Sequence, residues 1–148
     1  MNQEDLNKLL NLHELYLKHK AKGKCLELVN EDLSNLIFSN RDLSGSKFIN
    51  CNFECAKLKN IILHYSDIEQ CKFTNAVLEN VLLNTSNLLD VSFAGARGKN
   101  IDFSNSTLLN INFEGTKFKN IYMDFTISEQ VHMQKSHWKN LSNLTIYV

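Results

Sequence analysis

Hydrophobic side chains recur at every fifth residue over most of this chain. From Leu26 to Asn140 the sequence divides into 23 consecutive blocks of five without an insertion. The third position of a block is Leu, Ile, Phe, Met or Trp in 21 of the 23, and Gly98 and Ser128 are the departures. Eight of the nine Phe residues stand at that position; Phe125 does not. The fifth position is Asn or Gly in 15 of the 23 blocks. A helix spaces apolar residues by about 3.6 and a half-buried strand by 2, so a period of five fits neither as a long element. It predicts short extended segments joined by corners, with Asn or Gly supplying a positive φ as in a type II turn.

A second period of twenty residues overlies the first. First positions give the column Ser46, Ser66, Ser86, Ser106, Thr126, and another Cys51, Cys71, Val91, Ile111, Val131. Third positions give Phe53, Phe73, Phe93, Phe113, Met133. Like residues twenty apart are what coils of four blocks would bring together, since parallel strands lie ~4.8 Å apart. First and third positions are expected to point inward, the small first-position residues leaving room for the central one. Each buried Leu or Phe then contributes ~1.5–3 kcal/mol. The chain has no Pro, which leaves every backbone N–H available to the ladder between coils. Gly98 interrupts the column Leu58, Leu78, Phe118, Trp138, and Phe93 and Phe103 on the adjoining sides are expected to fill its space.

The blocks EDLSN (31–35), RDLSG (41–45), CNFEC (51–55) and SDIEQ (66–70) resemble those of the pentapeptide-repeat family, which read roughly Ala-Asp/Asn-Leu-x-x. The likeness extends over residues 26–140. It implies an all-β solenoid, a right-handed quadrilateral parallel β-helix of about 5–6 coils of 20 residues, with one block per side. Members of this family that protect DNA gyrase do so by resembling DNA; their rods are strongly acidic and they pair through their C-terminal ends.

Both ends of such a solenoid need cover. Residues 3–20 read as an amphipathic helix with Leu6, Leu9, Leu10, His13 and Leu17 on one face. The run LLNLHELYL at 9–17 resembles the segment that precedes the blocks in many family members. The chain is therefore read as one domain. Residues 1–25 are the capping helix and its connection, 26–140 the repeat solenoid, and 141–148 a C-terminal cap or dimerisation tail. Glu31, Leu36 and Arg41 are not small, which predicts an irregular first coil. Leu141, Leu144, Ile146 and Val148 form a candidate end-on interface through which two copies would pair about a two-fold axis.

Sixteen basic and sixteen acidic residues leave no net charge, so overall charge points to neither nucleic acid nor a membrane. No apolar run approaches the ~20 residues of a membrane span. The N-terminus MNQEDLNKLL does not read as a signal peptide, and a cytoplasmic protein is expected. Cys25, Cys51, Cys55 and Cys71 have no paired Cys-x-x-Cys spacing and read as reduced, Cys51 and Cys71 as core residues. The five His residues show no metal spacing, no nucleophile lies beside a base, and no glycine-rich phosphate loop occurs. No catalytic residue, cofactor or metal is assigned, and enzymatic activity is not expected.

Charge is segregated by side. Lys57, Lys59, Arg97, Lys99, Lys117, Lys119 and Lys139 fall on outward positions of one side with only Glu79, seven basic residues against one acidic, a balance of +6. The other residues of 26–140 include four basic and twelve acidic, a balance of −8. The basic side is a candidate interaction surface, edged by the column Asn60, Asn80, Asn100, Asn120, Asn140, which can form an amide ladder. Ile62, Tyr65, Leu82, Leu89 and Leu109 form a candidate apolar interface. These features imply a non-catalytic binding scaffold whose partner is another protein, with homodimerisation open and direct nucleic-acid binding not expected. The alternative is a DNA-mimicking, gyrase-protecting protein, which zero net charge and a basic side oppose.

Overall fold

Five-residue sides leave room for only short strands, and the repeat period sets which strands meet. The structure is a computed structural model and describes residues 1–142. One helix, α1 (Gln3–Lys18), precedes twelve strands: β1 (Glu27–Val29), β2 (Ile37–Asp42), β3 (Lys47–Ile49), β4 (Lys57–Ile62), β5 (Asp67–Glu69), β6 (Val77–Leu82), β7 (Asn87–Leu89), β8 (Arg97–Asp102), β9 (Thr107–Asn112), β10 (Lys117–Tyr122), β11 (Ile127–His132) and β12 (His137–Ser142). The odd strands form one six-stranded sheet in chain order and the even strands another. All pairings are parallel and twenty residues apart, as in Leu58↔Leu78 and Ile68↔Leu88. The result is a β-solenoid of about six coils. No described helix is long and apolar enough to cross a membrane.

Every described fifth position has positive φ, but the corners are of two kinds. At Cys55, Asn75 and Gly95 the third-position carbonyl accepts the N–H three residues on, Phe53 to Ala56 at 3.0 Å, Phe73 to Ala76 at 3.0 Å and Phe93 to Ala96 at 2.8 Å. These are hydrogen-bonded turns with φ of 56–69° at their third residue, as type II requires. At Asn40, Asn60, Asn80, Asn100 and Asn120 the strand runs round the corner, with φ between 53° and 56°. Left-handed backbone is costly for most L-residues and least so for Asn.

Inside, from Leu43 to Ser128, first and third positions other than Gly98 are buried, as their spacing predicts. Phe53, Phe73, Phe93 and Phe113 form one continuous stack with centroid separations of 4.3, 5.0 and 5.2 Å and interplanar angles of 9–17°. Phe93 and Phe103 meet edge-on at 6.0 Å. The space at Gly98 is taken chiefly by Ile101, whose Cδ1 would lie 2.8 Å from a Cβ there, and by the Leu78 carbonyl oxygen at 2.5 Å. The nearest atoms thus come from Gly98's own strand β8 and from Leu78 of β6, and not from the two flanking Phe residues expected to fill the space.

At the N-terminal end α1 starts at the cap Asn2, whose side chain accepts from Asp5 N–H at 2.9 Å. Leu6, Leu10 and His13 are buried against the first coil and Leu9 is half-buried. Leu17, expected on this face, is 39% exposed. Leu17 continues the stripe of residues 6, 10 and 13 but lies one turn further along, at the end of α1, past the last position that the coil covers, whereas Leu12 and Leu15 face the other way. The helix ends at Lys18, where the His19 N–H bonds back to Leu15 O at 2.7 Å. Gly23 then passes so close to the backbone of Leu12 and Tyr16 that any Cβ would overlap it.

The first coil is regular, contrary to the expectation from Glu31, Leu36 and Arg41. Glu27 pairs with Lys47, Asp32 with Asn52 and Ile37 with Lys57 in full register. Large first-position residues are tolerated because no coil lies below them. Arg41 reaches instead to Glu14 at 2.8 Å and Asn11 at 2.9 Å on α1, and Gln3 exchanges two 2.8 Å hydrogen bonds with the Ile37 backbone.

Candidate interaction surface

The even sheet carries the basic side. Its outward positions form two columns that the register fixes strand by strand: Lys57, Val77, Arg97, Lys117, His137 in one and Lys59, Glu79, Lys99, Lys119, Lys139 in the other. All seven basic residues expected on this side share the face. Glu79 lies 2.7 Å from Lys99 and 3.7 Å from Lys59. The hydrogen bond from Lys99, then the charges of both lysines, hold the Glu79 carboxyl below the usual carboxylate range. Between the columns, toward the C-terminal end, lies an open depression of about 400 Å³ lined by Lys117, Phe118, Lys119, His137 and Lys139.

One edge of this face is the Asn column. Each Nδ2 donates to Oδ1 of the preceding coil: Asn60 to Asn40 at 2.7 Å, Asn80 to Asn60 at 2.8 Å, Asn100 to Asn80 at 2.7 Å, Asn120 to Asn100 at 2.8 Å and Asn140 to Asn120 at 2.8 Å. The ladder begins one coil earlier than the sequence analysis placed it. The diagonally opposite corner holds Asn30, Asn50, Gln70, Asp90, Asn110 and Gln130, with Asn50 donating to Asn30 at 2.8 Å and Asn110 to Asp90 at 2.7 Å. This second edge was missed because all fifth positions were pooled. Sorted by corner, every residue at the two bent corners is Asn, Gln or Asp, whereas the turn corners also take Cys55, Tyr65, Thr85, Phe125 and Lys135.

The candidate apolar interface is not one patch. Ile62 stacks on Leu82 and Leu89 on Leu109, but the two pairs lie on different sheets. Ile62, Leu82 and Leu109 are half-buried, Leu89 is 40% exposed and Tyr65, on the intervening corner, is 69% exposed. His64, Asn84, Asp67 and Asn87 separate the pairs along the chain, so a single partner surface would have to wrap the corner.

At the C-terminal end, Val131, Met133, Ser136 and Trp138 occupy inward positions yet are only half-buried. Leu141, of the candidate end-on interface, stacks on Ile121 and is 38% exposed. Its companions Leu144, Ile146 and Val148 lie outside the described residues.

The stacked Ser hydroxyls and two of the four thiols are engaged in the core, while Cys25 is half-buried and Cys55 is exposed. Ser86 and Ser106 Oγ donate to Leu63 and Leu83 carbonyls at 2.6 Å, and Ser66 and Ser86 N–H groups donate to the next Ser Oγ at 3.2 and 3.1 Å. Cys51 and Cys71 are buried free thiols. The adjacent Cys51 thiol, and then burial, push the Cys71 thiol up. No group of three or more metal-ligating side chains gathers among the described residues.

A solenoid whose every side is one five-residue block defines a repeat scaffold. A family model for pentapeptide repeats, in eight copies, matches residues 28–64 of the chain. A pentapeptide repeat protein of the Arabidopsis thaliana thylakoid lumen resembles it with a TM-score of 0.50 at 20% identity, over 62% of this chain and 67% of that one. At that identity the likeness extends to the fold alone. The pentapeptide repeat protein Rfr23 of the cyanobacterium Cyanothece 51142 gives a TM-score of 0.39 at 19% identity, over 86% of this chain and 97% of that one. QnrB1, a plasmid-mediated fluoroquinolone resistance protein, gives 0.37 at 19%, over 79% of this chain and 72% of that one. No curated protein sequence matches the chain.

Proposed function

We propose that the protein is a non-catalytic interaction scaffold that docks an anionic partner, in the first place another protein, on its basic side. The carrying observation is the segregation of charge: seven cations and one carboxylate share a single face of a chain with no net charge. A rigid sheet holds those cations in fixed rows, which favours fast, oriented encounter with a surface of opposite sign. The core-facing hydroxyls and thiols leave the outward columns as the surfaces available for function. Mimicry of DNA runs against the same observation, because a face of positive charge does not present a row of phosphates.

The test uses immobilised poly-L-glutamate as an acidic probe. The unmodified chain is expected to be retained at low salt and released as salt screens the face. A variant with Lys57, Lys59, Lys117, Lys119 and Lys139 all changed to Gln is expected to pass through. Equal retention of the two would overturn the proposal. A gyrase supercoiling assay addresses the alternative, and the expected outcome is no effect of the protein.

A further inference from the structure

We infer that the C-terminal half of the basic side is a binding site for a condensed phosphate group, a chain of two or three phosphates; this rests on the basic side being the functional face. Arg97, Lys117 and His137 stand in one outward column and Lys99, Lys119 and Lys139 in the other, on the successive strands β8, β10 and β12. Neighbouring strands lie ~4.8 Å apart and residues two apart on a strand ~6.6 Å apart, so the six side chains rise from an area of about 10 by 7 Å. The depression of about 400 Å³ lies within it, lined by Lys117, Lys119, His137 and Lys139 with Phe118. That is the size of a small-molecule site.

The arrangement works against stability unless something neutralises it. Like charges directly opposite in a sheet destabilise it. Elsewhere the chain avoids them: among the outward columns no acidic residue stacks on another acidic residue in the next coil. Here Lys99, Lys119 and Lys139 stack in succession, and Lys117 stacks on Arg97. Glu79 relieves only Lys59 and Lys99. Arg97, Lys117, Lys119 and Lys139 have no ion-pair partner among the described residues.

Charge density selects the occupant. Four unneutralised cations ask for about four negative charges within ~10 Å. A phosphomonoester brings about two, whereas a triphosphate chain brings on the order of four in that length. The carboxylates of an extended acidic strand bring one each and come ~6.6 Å apart on one face. A second copy of this chain fits no better, because no acidic residue of its outward columns stacks on another in the next coil.

Titration calorimetry on the full chain, at constant ionic strength, tests the site with orthophosphate, pyrophosphate and tripolyphosphate. Affinity is expected to rise at each step. Lys119→Gln with Lys139→Gln is expected to weaken tripolyphosphate binding about tenfold or more, as loss of two charged hydrogen-bond donors implies. Lys57→Gln with Lys59→Gln, on the same side but outside the depression, should leave it within about twofold, since exposed charges one Debye length away act weakly. Neither variant should lower the melting temperature, and Lys119→Gln with Lys139→Gln should raise it slightly by relieving the like-charge stacking. Adenosine triphosphate binding more tightly than tripolyphosphate assigns the chain to a nucleotide, and weaker binding assigns it to free polyphosphate; either supports the site. A flat series, or equal losses in the two variants, overturns it. Retention on poly-L-glutamate without tripolyphosphate binding sinks the phosphate site and leaves the docking face standing, whereas failure of both removes both.

Discussion

The two ends of this rod meet the same physical problem and differ in what covers them. At the N-terminal end, Leu6, Leu10 and His13 of α1 close over Leu26, Leu28 and Leu33, all of them buried. Arg41 and Gln3 add polar contacts between helix and coil. At the C-terminal end the equivalent inward residues Val131, Met133 and Trp138 are half-buried, though each belongs to a column that is buried one coil earlier. Trp138 compensates in part by packing edge-on to Phe113 at 4.9 Å and donating its indole N–H to Thr116 Oγ1 at 2.8 Å. A coil is thus stable to the extent that something lies on both of its faces, and the two ends sample that rule from opposite sides.

The comparison can be broken most sharply by removing the cap. Deleting residues 1–20 should expose the buried first coil, with aggregation or loss of a cooperative thermal transition read by circular dichroism. A soluble monomer with an unchanged melting temperature would show that the helix covers nothing that matters. The point-mutant version has a smaller effect. Leu10→Ala should cost about 2–5 kcal/mol in urea unfolding, as for other fully buried leucines. Leu141→Ala should cost less than about 1 kcal/mol, in line with its partial exposure. Equal costs would erase the difference between the ends.

Acidity sharpens the same contrast, because the N-terminal cap contains a buried imidazole. Burial lowers the His13 pKa from its usual 6.5, and Nδ1 accepts the Leu26 N–H at 2.9 Å. The folded state therefore holds the neutral ring, and the unfolded chain takes up the proton first. Stability from this group is full above pH 6.5 and is lost as pH falls below it. Urea midpoints between pH 7.5 and 5 should decline, and His13→Asn should remove part of that slope. A slope unchanged in the variant would free His13 from the role.

The smallest effect comes from the amide ladder. Asn100→Gly keeps the left-handed corner accessible and removes two side-chain hydrogen bonds, to Asn80 and from Asn120. At about 0.5–1.5 kcal/mol each, the loss should be roughly twice that of Asn140→Gly, which removes one among the described residues.

Much of this architecture was legible because a solenoid repeats its own local rules. The twenty-residue columns placed Phe53, Phe73, Phe93 and Phe113 in one stack, and the same arithmetic put seven cations on one face. What escaped was whatever depends on a neighbour that the repeat does not encode. Leu17 followed the helical period but lay beyond the width of the coil. Arg41 broke the small-residue rule where the adjoining layer is a helix and not a coil. The grouping of Ile62 and Leu82 with Leu89 and Leu109 failed because outward orientation says nothing of which sheet a residue joins. The corner chemistry was present in the sequence and hidden by averaging, since two of the four corners demand hydrogen-bonding side chains and two do not.

The Asn ladder has a direction, and direction makes its members collective. From Asn60 to Asn140 each amino group points to the coil before it. Turning a single interior amide over would set carbonyl against carbonyl on one flank and amino against amino on the other, two faults for one flip. The six amides therefore behave as one switch with two settings, in which a fault can only travel along the row and leave at an end. Aligned amide dipoles of this kind polarise one another, so the edge acts as a polar wire laid along the rod. Among the described residues none donates to Asn140 Oδ1, so within them the wire ends on an acceptor, the polarity opposite to a row that ends on an amino group.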